Sequence, residues 1–204
     1  LNPILSADSS SGTINDLVFD GLIDLDKDLK YRPRLAKSWT QYEEAYLTIN
    51  TSWFLPGGQL EKDVHNWPEM LIKALSENKN WNDNLRSIEV VPEGTIEGEI
   101  KKISYTLNRP ARLKFTLEDI NQDFFAPIKE FLGEDYFKKF PYPQFVKAKD
   151  SGQQKDLEKQ YENILQVTEH NPVIVFDLRE DAVFHDGHPF DSGDVLFTYN
   201  SIIN

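Results

Sequence analysis

The chain contains no cysteine. That excludes a disulfide scaffold, a thiol nucleophile and any thiolate-held metal or iron–sulfur cluster. It does not fix a compartment, because exported proteins with large cores manage without disulfides. No apolar run reaches membrane-spanning length, and no signal-peptide pattern is present. Basic residues are in deficit: 22 Lys and Arg stand against 34 Asp and Glu, a net charge of −12. Non-specific attraction to nucleic acid or an anionic membrane is thereby disfavoured. Enzyme signatures are also missing: there is no Gly-x-Ser-x-Gly elbow, no glycine-rich phosphate loop after a strand and no His-Glu-x-x-His. Acidic neighbours such as Glu43-Glu44 or Asp24 and Asp26 occur in any chain this acidic, and nothing in their spacing sets a pair across a pocket. Internal repeats and low-complexity runs are absent.

What is present is the composition of a folded chain. Its 204 residues allow one good-sized core or two small ones. At 39% hydrophobic and 12% aromatic it is too apolar for disorder. It begins at Leu1 without a methionine and ends at Ile202-Ile203-Asn204 within a helix-like pattern, so it reads as a piece of something longer.

The two ends of the chain carry clear patterns. Ile14, Leu17 and Val18 share helical spacing, Thr13 followed by Asp16 is a weak capping box, and Gly21 reads as the stop of that helix. Leu22, Ile23 and Leu25 read as a short strand and Asp26-Lys27-Asp28 as a turn. Leu35, Ala36 and Trp39 are expected core residues. Near the other end, Asn171-Pro172 is expected to break the chain before a strand over 173–178. Apolar residues on both faces of that strand predict that it is covered. Asp186-Gly187 is a turn signal, and Asp191 or Ser192 is the expected cap of a terminal helix. Val195, Leu196, Tyr199, Ile202 and Ile203 are its expected buried side.

The middle, 40–172, is less regular. Residues 46–51 alternate like a strand with mixed faces. Asn66 is the expected cap of a helix burying Trp67, Leu71, Ala74 and Leu75. Ile103, Tyr105 and Leu107, then Leu113, Phe115 and Leu117, alternate on either side of Asn108-Arg109-Pro110-Ala111, which predicts a hairpin. Ile120, Phe124, Phe125, Ile128, Phe131 and Leu132 have helical spacing up to Gly133, and Tyr136, Phe137 and Phe140 extend the aromatic patch. A further helix is expected over 153–166 with Asp150 or Ser151 as cap. The order is mixed α and β.

Two segments carry a resemblance. The first holds Asn2-Pro3, a Ser-rich stretch, Phe19-Asp20-Gly21-Leu22 and Pro33-Arg34-Leu35-Ala36-Lys37-Ser38-Trp39. The second holds Phe176-Asp177-Leu178-Arg179, Val183-Phe184-His185-Asp186-Gly187, Pro189-Phe190 and Asp194-Val195-Leu196-Phe197. Each piece alone is weak; in this order and at close spacing they resemble the opening and signature blocks of extracellular solute-binding proteins of family 5, the peptide-, oligopeptide- and nickel-binding type of ABC importers. The resemblance covers about a third of the chain. Ordinary members pass from the Ser-Trp element to the Leu-Arg strand in a few tens of residues or fewer. Here the whole of 40–172 intervenes, which predicts an inserted or elaborated α+β region between a first segment, 1–39, and a truncated strand–hairpin–helix, 173–204. His188 before the proline, and Ser192-Gly193 where Ala and Glu are usual, are smaller departures.

The resemblance implies an α/β fold of the two-lobed periplasmic-binding type II kind and a non-enzymatic capture protein. Its ligand is a peptide or similar small polar solute held largely by main-chain hydrogen bonds, and its membrane partners are ABC permease subunits. It further implies a monomer without cofactor, metal or nucleic acid, in the periplasm or on the cell surface as a lipoprotein. Phe19, Asp20, Gly21 and Leu22 are then the residues expected at the cleft, with Gly21 permitting close approach. Trp39, Arg179, His185, Asp186 and Gly187 are expected structural signature residues. Arg179 either orders the site or pairs with a nearby acid such as Glu180 or Asp181, the second being favoured. His185, Asp186 and His188 carry ligand atoms but lack a fourth metal partner. Asp186 is expected to hold its turn through a backbone N–H. Trp39, Trp53, Trp67 and Trp81 offer either a stacking platform or, more commonly, core. The alternative function is an interaction module on the same fold, with the phenylalanines from Phe124 to Phe140 as its docking face. An enzyme housed in 40–172 has no motif behind it.

Overall fold

The computed structural model describes residues 20–203. Phe19 and the expected helix through Ile14, Leu17 and Val18 lie outside them. The fold is mixed α and β, with several small sheets and mostly short helices. The chain divides into two compact units: Leu1–Thr40 with Ile174–Asn204, and Gln41–Val173. Strands β3 (Ala36–Thr48) and β11 (Thr168–Leu178) run across the division. Among the described residues no helix is long and apolar enough to cross a membrane.

The 41–173 unit holds every residue of the buried hydrophobic cluster. Two short strands, β4 (Phe54–Leu55) and β5 (Gln59–Leu60), pair with each other, and a four-stranded sheet has the order β11-β3-β9-β6, with β6 spanning Leu85–Val91 and β9 Arg112–Leu117. Ala45 and Leu47 of β3 stand opposite Phe115 and Leu113 of β9, and this row is buried. The other row looks mixed in sequence because its polar ends are paired above apolar stems. Lys114 Nζ lies 2.7 Å from Glu44 Oε1, and the Arg112 guanidinium lies 4.4 Å from the centre of the Tyr46 ring.

The expected hairpin over 103–117 does not form. The strand β8 (Ile103–Arg109) belongs to a second sheet of order β10-β8-β7, with β7 spanning Gly94–Ile100 and β10 Val146–Ala148. Pro110-Ala111 is a buried link between sheets, and Ile49 N–H donates to Ala111 O at 2.9 Å. The true hairpin joins β7 to β8 through Lys101-Lys102, both left-handed at φ 49° and 67°. That is the backbone of a tight two-residue hairpin turn, occupied by residues that do not announce it.

The helices of this unit are α1 (Trp67–Ala74), α2 (Lys79–Asn84), α3 (Ala126–Leu132), α4 (Glu134–Lys138), α5 (Tyr142–Phe145), α6 (Gln154–Glu158) and α7 (Tyr161–Ile164). Trp67, Leu71 and Leu75 are buried as expected, while Ala74 is exposed. Asn66 makes no side-chain cap; Asp63 caps a preceding 3₁₀ turn by accepting from His65 N–H. Asp150 likewise accepts from Gly152 N–H at 2.9 Å, and the helix expected over 153–166 is broken at Lys159-Gln160. The phenylalanines weighed as a docking face are core. Phe124, Phe125 and Phe140 are almost fully buried, and Trp81 stacks on Phe124 with ring centres 5.6 Å apart. Ile120, counted on the same helical face, is exposed in the loop before α3.

The other unit contains the hairpin β1 (Ile23–Leu25) and β2 (Tyr31–Pro33), the outer parts of β3 and β11, and α8 (Ser192–Ile203). Asp26 builds the hairpin turn: its Oδ1 accepts from Asp28 N–H at 2.8 Å and Lys30 N–H at 3.0 Å. Asp191 is the cap of α8. Its Oδ1 accepts from Gly193 N–H at 2.6 Å while Asp194 Oδ2 accepts from Asp191 N–H at 2.9 Å, a reciprocal box. Ala36 is buried, but Leu35 and Trp39 are only half-buried. Three further expectations fail towards this end of the chain. Pro172 does not break the chain; it sits inside β11, an edge strand, the place in a sheet where proline is tolerated. Nor is β11 covered, since Ile174 and Val175 are about half exposed at 52% and 46%. Leu196 and Tyr199 of α8, expected inside, are exposed as well.

Candidate functional site

The sharpest local geometry in the unit formed by the two ends of the chain gathers three stretches. Leu35 N–H donates to Gly21 O at 3.2 Å, and Ala36 N–H donates to Leu22 O at 2.9 Å. Arg179 N–H donates to Leu35 O at 2.9 Å. Ser38 Oγ, two residues past the buried Ala36, donates to Asp177 Oδ2 at 2.7 Å across 139 positions of sequence. Residues 20–22, 33–38 and 177–181 therefore meet through main-chain bonds, with one side-chain clasp.

An open cavity of about 560 Å³ lies at this junction. It is lined by Pro33, Arg34, Ala36 and Lys37 from the link between β2 and β3, and by Arg179, Glu180 and Asp181 after β11. Its size falls within the range of small-ligand sites. Its charges are unevenly committed. Arg179 makes a two-point contact with Asp181, Nε to Oδ1 at 2.9 Å and Nη2 to Oδ2 at 2.6 Å. That contact holds the Asp181 carboxyl below its ordinary value and raises Arg179. Arg34 lies 3.4 Å from both Asp20 and Asp24. Asp24 is lowered first by its hydrogen bond from Arg32, then by the Leu25 N–H. Lys37 and Glu180 have no ion-pair partner among the described residues. The cavity thus offers one free ammonium, one free carboxylate and two arginines with exposed faces.

Of the residues expected at the cleft, Asp20, Gly21 and Leu22 sit beside this cavity. Asp20 touches Arg34, and the other two act through their carbonyls, as main-chain acceptors for the link. Arg179 lines the cavity and pairs with Asp181, one of the two acids, Glu180 or Asp181, named from the sequence as structural partners. Trp39 is half-buried in β3. His185, Asp186 and Gly187 form a separate turn. Gly187 is left-handed at φ 88°, and Asp186 Oδ1 accepts from His188 N–H at 3.1 Å, which, ahead of its other contacts, lowers the Asp186 carboxyl. Phe184 and Phe190 pack edge-on across it. His188 Nδ1 lies 3.2 Å from Asp186 Oδ2, and among the described residues no cluster of three or more His, Asp or Glu is gathered as a metal site would require. Arg34, Lys37 and Glu180 were not picked out as site residues. The signal for them was available only as adjacency to Ala36 and Arg179, which says nothing of charge until the strands are paired.

A second cavity, of about 360 Å³ in the 41–173 unit, is polar but committed to bracing. Asn84 Oδ1 accepts from Asp119 N–H at 2.9 Å, and Asn121 N–H donates to the buried Glu43 at 2.7 Å. Trp53, Trp67 and Trp81 belong to the core or pack on it and form no stacking platform.

No protein-family model matches the chain, no curated protein matches it and no solved structure matches it.

Proposed function

We propose that the chain is part of a solute-capture protein of the extracellular family 5 type, which hands a peptide or similar small polar solute to an ABC permease. In this reading the 41–173 unit is an insertion between two strands of the first lobe. One observation carries the proposal. Far apart in the chain, Leu35 and Ser38 of the first resembling segment pair with Arg179 and Asp177 of the second beside a cavity, while 41–173 clusters as a compact unit of its own. A segment inserted into a strand–strand connection has that property, because the connection's ends stay paired whatever its length.

The cavity chemistry suits a polar ligand. Lys37 is free to meet a carboxylate and Glu180 an ammonium, while the carbonyls of Gly21 and Leu22 stand close by. No step of covalent chemistry is asked of these groups. The finer claims, two lobes and a place outside the inner membrane, rest on the resemblance alone.

The test is native mass spectrometry of the protein purified without refolding, followed by calorimetric titration with pooled short peptides. The expected result is an adduct of peptide mass, lost on denaturation, and binding weakened about tenfold by Lys37→Ala. A bare protein that also ignores every peptide pool would sink the reading.

A further inference from the structure

The strand β7 is the outer strand of its three-stranded sheet. Ile100 and Ile103 flank the two-residue turn, so ladder alternation commits the main-chain groups of Gly94, Ile96, Gly98 and Ile100 to β8. Those of Thr95, Glu97 and Glu99 point outward, and among the described residues nothing hydrogen-bonds to them.

Exposed edges are normally blunted by lysine, proline or a bulge. The strand Gly94–Ile100 has no lysine or proline and its register with β8 is unbroken; the charges that guard its edge are the carboxylates of Glu97 and Glu99, which repel an acidic strand and admit a basic one. Its weak point, Gly98, is filled from the neighbouring strand. A Cβ there would lie 2.6 Å from Tyr105 Oη, so the tyrosine ring occupies the missing side chain's place. The edge is thus kept straight and ordered.

Its two faces differ in kind. Thr95, Glu97 and Glu99 share one face; Ile96, 41% exposed, lies on the other between two glycines. Glu97 holds Lys149 in an exposed pair through one oxygen and accepts from Thr106 Oγ1 at 3.0 Å through the other, whereas Glu99 and the preceding Glu93 have no ion-pair partner among the described residues.

We infer that the β7 edge is a docking site for an extended segment of a partner protein, one carrying Lys or Arg on alternate residues with apolar residues between them. The segment adds as a fourth strand. Its main chain meets the outward groups of β7, its basic side chains lie beside Glu97 and Glu99, and its apolar ones continue the face of Ile96. Charge complementarity selects this occupant. A second copy pairing edge to edge in antiparallel fashion keeps both sets of glutamates on one face, opposite each other, which is repulsive.

The probe is a fluorescein-labelled synthetic peptide of alternating Lys and Val, read by anisotropy against the whole chain at low salt. Saturable binding that weakens with salt is expected, with no binding of a Glu–Val counterpart. Thr95→Pro removes an outward N–H that β8 does not use, on an edge where proline is tolerated, and should weaken binding about tenfold or more. Glu97→Gln with Glu99→Gln should weaken it and flatten its salt dependence. N-methylation of the probe's alternate amides, in the phase that faces β7, tests the same bonds without altering the protein and should abolish binding. The proposal is overturned by no binding of the Lys–Val probe, or by binding indifferent both to N-methylation in either phase and to Thr95→Pro. It is equally overturned by a concentration-dependent dimer that Thr95→Pro dissolves, which assigns the edge to a second copy.

Discussion

Two buried polar side chains show how much the 41–173 unit depends on single groups. Tyr136 is fully buried, donates its hydroxyl to Thr48 O at 2.7 Å and accepts from Asn50 N–H at 2.9 Å. Burial pushes the phenol's pKa up, so the group stays neutral at every working pH. Tyr136→Phe keeps the ring contacts with Trp53 and Phe137 but strands a buried N–H and a buried carbonyl. The expected loss is about 1–3 kcal/mol, read as a lower urea midpoint at unchanged slope. Glu43 is the sharper case. Its side chain is fully buried, with one oxygen accepting from Asn121 N–H and the other in contact with His170 Nδ1. Glu43→Ala leaves the Asn121 N–H and the His170 ring nitrogen without their partner, and a loss of about 1–3 kcal/mol is expected. A double variant with His170→Leu should recover part of that loss. Two additive losses would show that the pair is not coupled.

At the scale of elements, what could be read from the sequence was period and what could not was partner. Leu113, Phe115 and Leu117 point to one buried face, and they are buried; the same alternation in Ile103, Tyr105 and Leu107 invited a hairpin because nothing local says that Pro110-Ala111 leads into a different sheet. The strands β6 and β7, with residues such as Glu89, Glu97 and Glu99, show too little apolar alternation to be seen without their neighbours. Of the residues at or beside the candidate cavity, Asp20, Gly21 and Leu22 were named from the sequence as cleft residues and Arg179 as a structural one, whereas Lys37 and Glu180 acquire meaning only when β3 and β11 lie side by side. The hairpin turn gives a direct test of local strain. Lys101 and Lys102 hold a left-handed backbone that Asn-Gly adopts readily. Lys101→Asn with Lys102→Gly should raise stability by about 0.5–1 kcal/mol, seen as a higher melting temperature. An unchanged or lower value would mean that the two lysines cost nothing there. On the neighbouring sheet, the hydrogen bond from Lys114 is the main cause holding Glu44 below its ordinary 4.5. A lowered folded-state pKa means that the pair's contribution is complete above that value and is lost as pH falls below it. Lys114→Met should therefore make the acid limb of the stability profile shallower, by less than about 1 kcal/mol for a pair this close to solvent.

For the molecule as a whole, the distribution of apolar surface is lopsided. The buried cluster lies entirely within 41–173, whereas the described part of the other unit exposes Leu29, Tyr31, Val183, Leu196, Phe197 and Tyr199, with Phe197 at 74%. Burial of apolar area is the main force that offsets chain entropy, so the two units have unequal means of holding themselves together. In hydrogen exchange on the intact chain, the amides of Leu113, Phe115 and Asn50 should open only with global unfolding. Those of β1, β2 and α8 should exchange by local opening, orders of magnitude faster. The segment Gln41–Val173, expressed alone, should then keep its near-ultraviolet aromatic signal and unfold in one cooperative urea transition close to that of its counterpart in the whole chain. That outcome is what an insertion requires, since a module accepted into a strand–strand connection must bring its own core. Equal protection across both units, together with loss of the aromatic signal on excision, would mean that the chain folds as one body and that 41–173 is an elaboration of the unit formed by the two ends.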